Sequence, residues 1–147
     1  MGRVFSASKQ TTSQTAAQDI VELIAATNVA VRILEVEVTS SLTTDERNHI
    51  MLHRGTATGS GGSAGTEVPL DPGYPAADSL IEFNNTTQSV DANILRRTEW
   101  SCLVPYHYLP TPETVITIPG GGLFIVALEE TITSTTITAT IVWEELG

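Results

Sequence analysis

The run TITSTTITATIVWEEL at residues 131–146 decides the fold class. Within it Ile137, Ala139, Ile141 and Trp143 recur at every second position, opposite Thr136, Thr138 and Thr140. Successive side chains of a strand point to opposite faces, so one apolar row and one polar row at period two specify a strand with one wet face. Threonine suits the wet row because its branched β-carbon fits a pleated surface better than a helix. The chain of 147 residues holds 22 threonines, which extends the same preference well beyond this segment.

Working outward, VAVRILEVEV at residues 29–38 is a second clear strand. Its apolar positions run Val29, Val31, Ile33 and then change phase to Leu34, Val36, Val38, the signature of a β-bulge. Further strands are predicted over residues 4–8, 47–57, 79–84, 94–104, 114–118 and 122–128, each bounded by Gly, Pro, Asn, Asp or Ser. Residues 16–27 (AAQDIVELIAAT) fit a short helix or a strand, and their strand neighbours favour the strand. Pro119-Gly120-Gly121-Gly122 reads as a hairpin connection. The expected architecture is all-β, one domain over residues 1–147, an antiparallel two-sheet sandwich of jelly-roll type with about eight strands.

Seventeen acidic side chains against seven basic ones leave a net charge of −10, and Lys9 is the sole lysine. Such a surface repels phosphate backbones and anionic lipid, so neither nucleic acid nor a membrane is an expected partner. The opening Met1-Gly2-Arg3-Val4-Phe5 lacks an apolar signal core and Cys102 has no second cysteine to pair with. Folding in a reducing cytoplasm is the expectation.

Two segments break the strand pattern. Residues 56–78 (TATGSGGSAGTEVPLDPGYPAAD) are crowded with Gly and Pro and have no period, and a loop this long inside a compact domain is usually functional or disordered. The polar stretch from Lys9 to Gln18 suggests an N-terminal arm, within residues 1–15, or another long loop.

The chemical motifs fail on context. Gly61-Gly62-Ser63-Ala64-Gly65 matches the G-x-S-x-G elbow, with Asp71 or Asp78 and His107 as paper partners, but no helix follows the serine. Gly59-Ser60-Gly61-Gly62-Ser63-Ala64 fits a loose dinucleotide fingerprint without a βαβ unit around it. His49 and His53 on one strand stand ~13 Å apart, too far to share an ion held by bonds of ~2 Å. Cys102, two residues from Trp100 and from Val104, reads as a small buried hydrophobe, and the pairs Glu129-Glu130 and Glu144-Glu145 read as solvated charges at strand ends. No catalytic residue, cofactor or metal ligand is expected. Binding is the work left to the chain, and its candidate contacts are Tyr74 in the long loop, Tyr106, His107 and Tyr108 in the aromatic stretch 100–110, and His53 with Arg54.

His53-Arg54-Gly55 before a Gly/Ser loop, Pro69-Leu70-Asp71-Pro72-Gly73, Asn84-Asn85-Thr86-Thr87, Tyr108-Leu109-Pro110-Thr111-Pro112-Glu113 and the closing Trp143-Glu144-Glu145-Leu146-Gly147 occur in an order and spacing that resembles a family of small structural proteins of tailed-phage virions. The resemblance implies a capsid cement or decoration subunit on the virion surface, made in the host cytoplasm, docked on the major capsid protein and self-associating as a homo-oligomer, typically a trimer. A tail, neck or head-fibre component, or a glycan-binding jelly roll on the virion, are the alternatives.

Overall fold

A computed structural model describes residues 2–147, apart from the side chains of residues 12, 13, 91 and 92. Among the described residues there are twelve strands and no helix. They are β1 (Arg3–Gln14), β2 (Asp19–Ile24), β3 (Ala30–Ser40), β4 (Arg47–Ala57), β5 (Ser63–Ala64), β6 (Val68–Pro69), β7 (Leu80–Asn85), β8 (Val90–Ser101), β9 (Tyr106–Tyr108), β10 (Ile116–Ile118), β11 (Leu123–Leu128) and β12 (Thr135–Leu146). Sheet one runs β10-β3-β12-β1-β6, with β9 also on β3, and sheet two runs β5-β7-β2-β11-β4-β8. All pairings are antiparallel, and the two sheets form a sandwich.

The pairing has a simple rule. Arg3 lies opposite Glu145, Ile24 opposite Leu123, Ile33 opposite Ile116 and Arg47 opposite Ser101, so the partners' numbers add to 148, 147, 149 and 148. The chain is therefore one long antiparallel ribbon folded back on itself around residue 74, half of 148, with nested pairs β1–β12, β2–β11, β3–β9/β10 and β4–β8. Rolling the ribbon sends alternate pairs to alternate sheets, which gives each pair's apolar row a facing row to pack on. The segment 56–78 is the tip of this ribbon.

The core lies between the inner rows. Phe5 and Trp143 face each other on β1 and β12, both fully buried, with ring centroids 5.8 Å apart and planes at 28°. Sheet two contributes Val21, Leu23, Ile50, Leu52, Ile81, Phe83, Phe124 and Val126. The phase change in β3 is a bulge: Val142 pairs with Glu35 and Trp143 with Ile33, leaving Leu34 as the extra residue. That one insertion lets Ile33 and Val36 both face the core. Residues 16–27 contain strand β2 and no helix, because β2 sits between β7 and β11 and is buried on both faces.

Four expectations are corrected. The segment from Lys9 to Gln14 is not an arm but the second half of β1, its backbone paired with β12 as far as Thr135; Met1, the first residue of the expected arm, lies outside the described residues. Pro119-Gly120-Gly121-Gly122 is not a hairpin, since β10 belongs to sheet one and β11 to sheet two. It is a tight turn between sheets, closed by the Gly122 N–H donating to Pro119 O at 2.9 Å with Gly121 at φ +75°. Strand β8 ends at Ser101, so Cys102 is buried in a turn while Val104 is exposed instead of sharing its face. The long loop is built from short strands, as described next.

Candidate functional site

The ribbon tip begins as a strap. Residues 58–62 must cross from the end of β4 to β5 on the far edge of sheet two, over β11, β2 and β7. The crossing is fastened at Glu22, a fully buried side chain on the outer row of β2, whose Oε2 accepts the Gly59 N–H at 2.8 Å and the Asn85 amide at 3.2 Å. Ser60 and Thr87 exchange two backbone hydrogen bonds of 3.0 Å beside it. The glycines permit this closeness: a Cβ on Gly62 would stand 2.0 Å from Asn85 Oδ1, and Gly61 has φ +80°. Burial raises the Glu22 pKa above the usual carboxylate value, with the neighbouring Asp19 and Glu82 charges adding to it and the Gly59 N–H opposing.

Beyond the strap, Ser63 and Ala64 pair with Phe83 and Glu82, and Lys9 Nζ reaches across from β1 to donate to Ser63 Oγ at 2.8 Å and Ala64 O at 2.9 Å. The chain then changes sheets. Glu67 Oε1 accepts the Ile81 N–H at 3.1 Å, and Val68–Pro69 pairs with Ser6 and Phe5 on β1. The return is held by Glu145 on β12, whose carboxylate is fully buried. It accepts the N–H groups of Asp78 at 3.1 Å and Ser79 at 2.8 Å, and the Arg3 guanidinium at 2.8 Å; Arg3 also pairs with Asp78.

This tip is thus tied to both sheets, yet it carries exposed aliphatic side chains. Val68 is 50% exposed, Leu70 58% and Leu80, at the start of β7, 62%. Val68 pairs with Ser6 and Pro69 with buried Phe5, so Val68 lies on the outer face of sheet one, whereas Leu80 alternates with buried Ile81 and Phe83 and lies on the outer face of sheet two. The tip therefore carries exposed aliphatics, Val68 and Leu70 beside β1 and Leu80 on β7.

The expected contacts fare unevenly. Tyr106 and Tyr108 are buried in the core, with the Tyr108 hydroxyl donating to Thr114 O at 2.9 Å, and burial raises both phenol pKa values. They alternate with exposed His107 on β9, so the two tyrosines supply core and His107 is the residue of this strand that reaches solvent. His53 is buried on the outer row of sheet two, and Arg54 is half-buried, donating to Thr117 O at 3.0 Å and so linking β4 to β10. Burial removes Tyr106, Tyr108 and His53 as surface contacts. Tyr74 is half-buried in a turn in which its N–H donates to Asp71 O at 3.0 Å. The structure brings His107 close to Glu35, 2.7 Å away, and not to Ser63, which is held by Lys9.

Sequence reasoning gave Glu22 no role and read Glu145 as a solvated charge at a strand end. The signal for Glu145 lay in its position: it continues the buried row Ile137, Ala139, Ile141, Trp143 by two, so the pleat buries it too. Glu129 is also engaged, by Arg97 at 2.7 Å and His49 at 3.6 Å. Trp100 is buried as expected, its indole N–H donating to Val104 O at 2.7 Å. Cys102 is buried with its thiol pKa pushed up to about 11 by desolvation, Glu46 and Asp45.

The fold and this surface define a class, an antiparallel β-sandwich in which the connection between β4 and β7 is tied by hydrogen bonds to both sheets and carries exposed aliphatic side chains. No protein-family model, curated protein or solved structure matches the chain.

Proposed function

We propose that the protein is a jelly-roll structural subunit of a bacteriophage virion, a cement or decoration protein that binds the major capsid protein lattice and assembles as a homo-oligomer, in the simplest case a trimer. The observation that carries this reading is the ribbon tip: a segment composed like a floppy linker is fastened by Glu22, Lys9, Glu67 and Glu145, and presents Val68, Leu70 and Leu80 outward. Fastening lowers the entropy lost when such a segment is buried against a partner. The nested order β1-β12-β3-β9/β10 against β2-β11-β4-β8 supports the jelly-roll assignment, an architecture of eight strands used by viral capsid and lectin domains. The resemblance of the quoted segments to tailed-phage virion proteins points to the particle. A net charge of −10 favours subunits that stay soluble and particles that repel one another.

A few exposed aliphatics make a modest contact. An oligomer that engages several identical capsid subunits at once multiplies such contacts into useful affinity. The test uses particles assembled without this protein, incubated with the purified chain, with bound copies counted per capsid subunit. Saturable binding at a ratio fixed by the lattice, weakened about tenfold or more by Leu70→Asp, supports the reading. Binding no greater than that of an unrelated acidic protein, or unchanged by Leu70→Asp, overturns it.

A further inference from the structure

The outer face of sheet one holds a cluster that the capsid reading does not use. On β3, Val36 and Val38 point into the core, so Glu35 and Glu37 occupy the outward row; on β9, buried Tyr106 and Tyr108 fix His107 on that same outward side. Glu37 is directly opposite His107 in the ladder, and Glu35 lies two positions along, with its Oε1 2.7 Å from His107 Nε2. One donor atom from each of the three side chains falls within 4.8 Å of the others.

We propose that Glu35, Glu37 and His107 bind a divalent transition-metal ion, with zinc the best match. Two carboxylate oxygens and one imidazole nitrogen are a three-ligand set that leaves a further position open, as zinc sites exposed to solvent do. Bonds of about 2.0–2.2 Å need donors closer together than 4.8 Å, and side-chain rotation of the two glutamates closes that gap on a fixed backbone. Two carboxylates converge on one imidazole in a chain of net charge −10, and among the described residues no Arg or Lys pairs with either of them. The contrast is His49, which also faces two glutamates, at 3.6 and 3.7 Å; there Arg97 already neutralises Glu129 at 2.7 Å. On binding, the contact between His107 Nε2 and Glu35 is replaced by bonds from each to the ion. The proton that His107 Nε2 shares with Glu35 is released to solvent as the ion takes its place, the bound imidazole keeps one proton on Nδ1, and no electrons are transferred.

The full chain, cleared of metal with a chelator that is then removed, is titrated near neutral pH with zinc chloride alone by calorimetry. A parallel titration with cobalt chloride is followed by the visible absorption of the bound ion. One ion per chain with micromolar affinity is expected, and His107→Ala or Glu37→Gln should each weaken it about tenfold or more. These positions are exposed, and the thermal transition of each variant checks that it is folded. His49→Ala should bind as the parent does. Absence of saturable binding below millimolar metal, or undiminished binding by folded His107→Ala, overturns the proposal.

Discussion

The carboxylate of Glu145, on the last strand, accepts the backbone N–H of Ser79 at 2.8 Å, although 66 residues separate the two. The same carboxylate takes the Asp78 N–H and the Arg3 guanidinium, with no exposure of its own. A buried carboxylate held by three donors is satisfied as a unit, and removing it strands the two backbone N–H groups and leaves Arg3 with Asp78 and the Ala76 carbonyl alone. Glu145→Ala should destabilise the protein by about 3 kcal/mol in chemical denaturation, because it leaves the Asp78 and Ser79 N–H groups without their acceptor and takes from Arg3 its buried partner. Limited proteolysis should then cut first within residues 65–79. A loss under about 1 kcal/mol would mean that the clamp is not needed.

Glu22 predicts a pH dependence of definite sign. Its folded-state pKa is raised above the ordinary 4.5 mainly by burial. Its contribution to stability is therefore fully present below the ordinary value, where it is protonated in both states, and is lost as pH rises through the raised folded value. Glu22→Gln keeps a carbonyl for the Gly59 N–H and removes the ionisation. The stability of Glu22→Gln relative to the parent should rise across that window and level off above it, in paired denaturation curves over a pH series. Parallel curves would contradict the assignment.

Cys102 should be inert. With its thiol pushed up to about 11 and its side chain buried, the thiolate is scarce near neutral pH. A disulfide reagent should modify it at the rate of unfolding, and rapid stoichiometric reaction in the native protein would contradict its burial.

Gly120 tests the turn between sheets. A Cβ there would lie 2.3 Å from the carbonyl oxygen of Thr27, a backbone atom that cannot swing aside. Gly120→Ala should cost about 2 kcal/mol or more, whereas Gly73→Ala, whose Cβ meets only Asp71 Oδ1 at 3.2 Å, should be near neutral. Equal effects in thermal or chemical denaturation would refute this distinction.

The strands were legible where pairing demands a period. Residues 47–57 were delimited as β4 is, and the phase change in 29–38 signalled a bulge, which the ladder puts at Leu34. Topology was not legible, because nothing local records that residue 3 meets residue 145. The polar row from Lys9 to Gln14 looked like an arm for the same reason: its hydrogen bonds go to a strand at the other end of the chain. The surface was read least well. Aromatic side chains are favoured both in cores and in interfaces, and the sequence of 106–108 does not say which face of β9 is inward. The Glu35, Glu37 and His107 cluster is likewise created by pairing across 70 or so residues and has no spacing signature.

The central claim, a subunit that decorates a capsid lattice through its ribbon tip, is tested most directly by imaging the assembled particle at residue-level resolution. The account predicts many symmetry-related copies on the outer shell with Val68, Leu70 and Leu80 buried against capsid subunits or neighbouring copies. A particle carrying only a few copies, or copies whose ribbon tip projects freely into solvent, would contradict it.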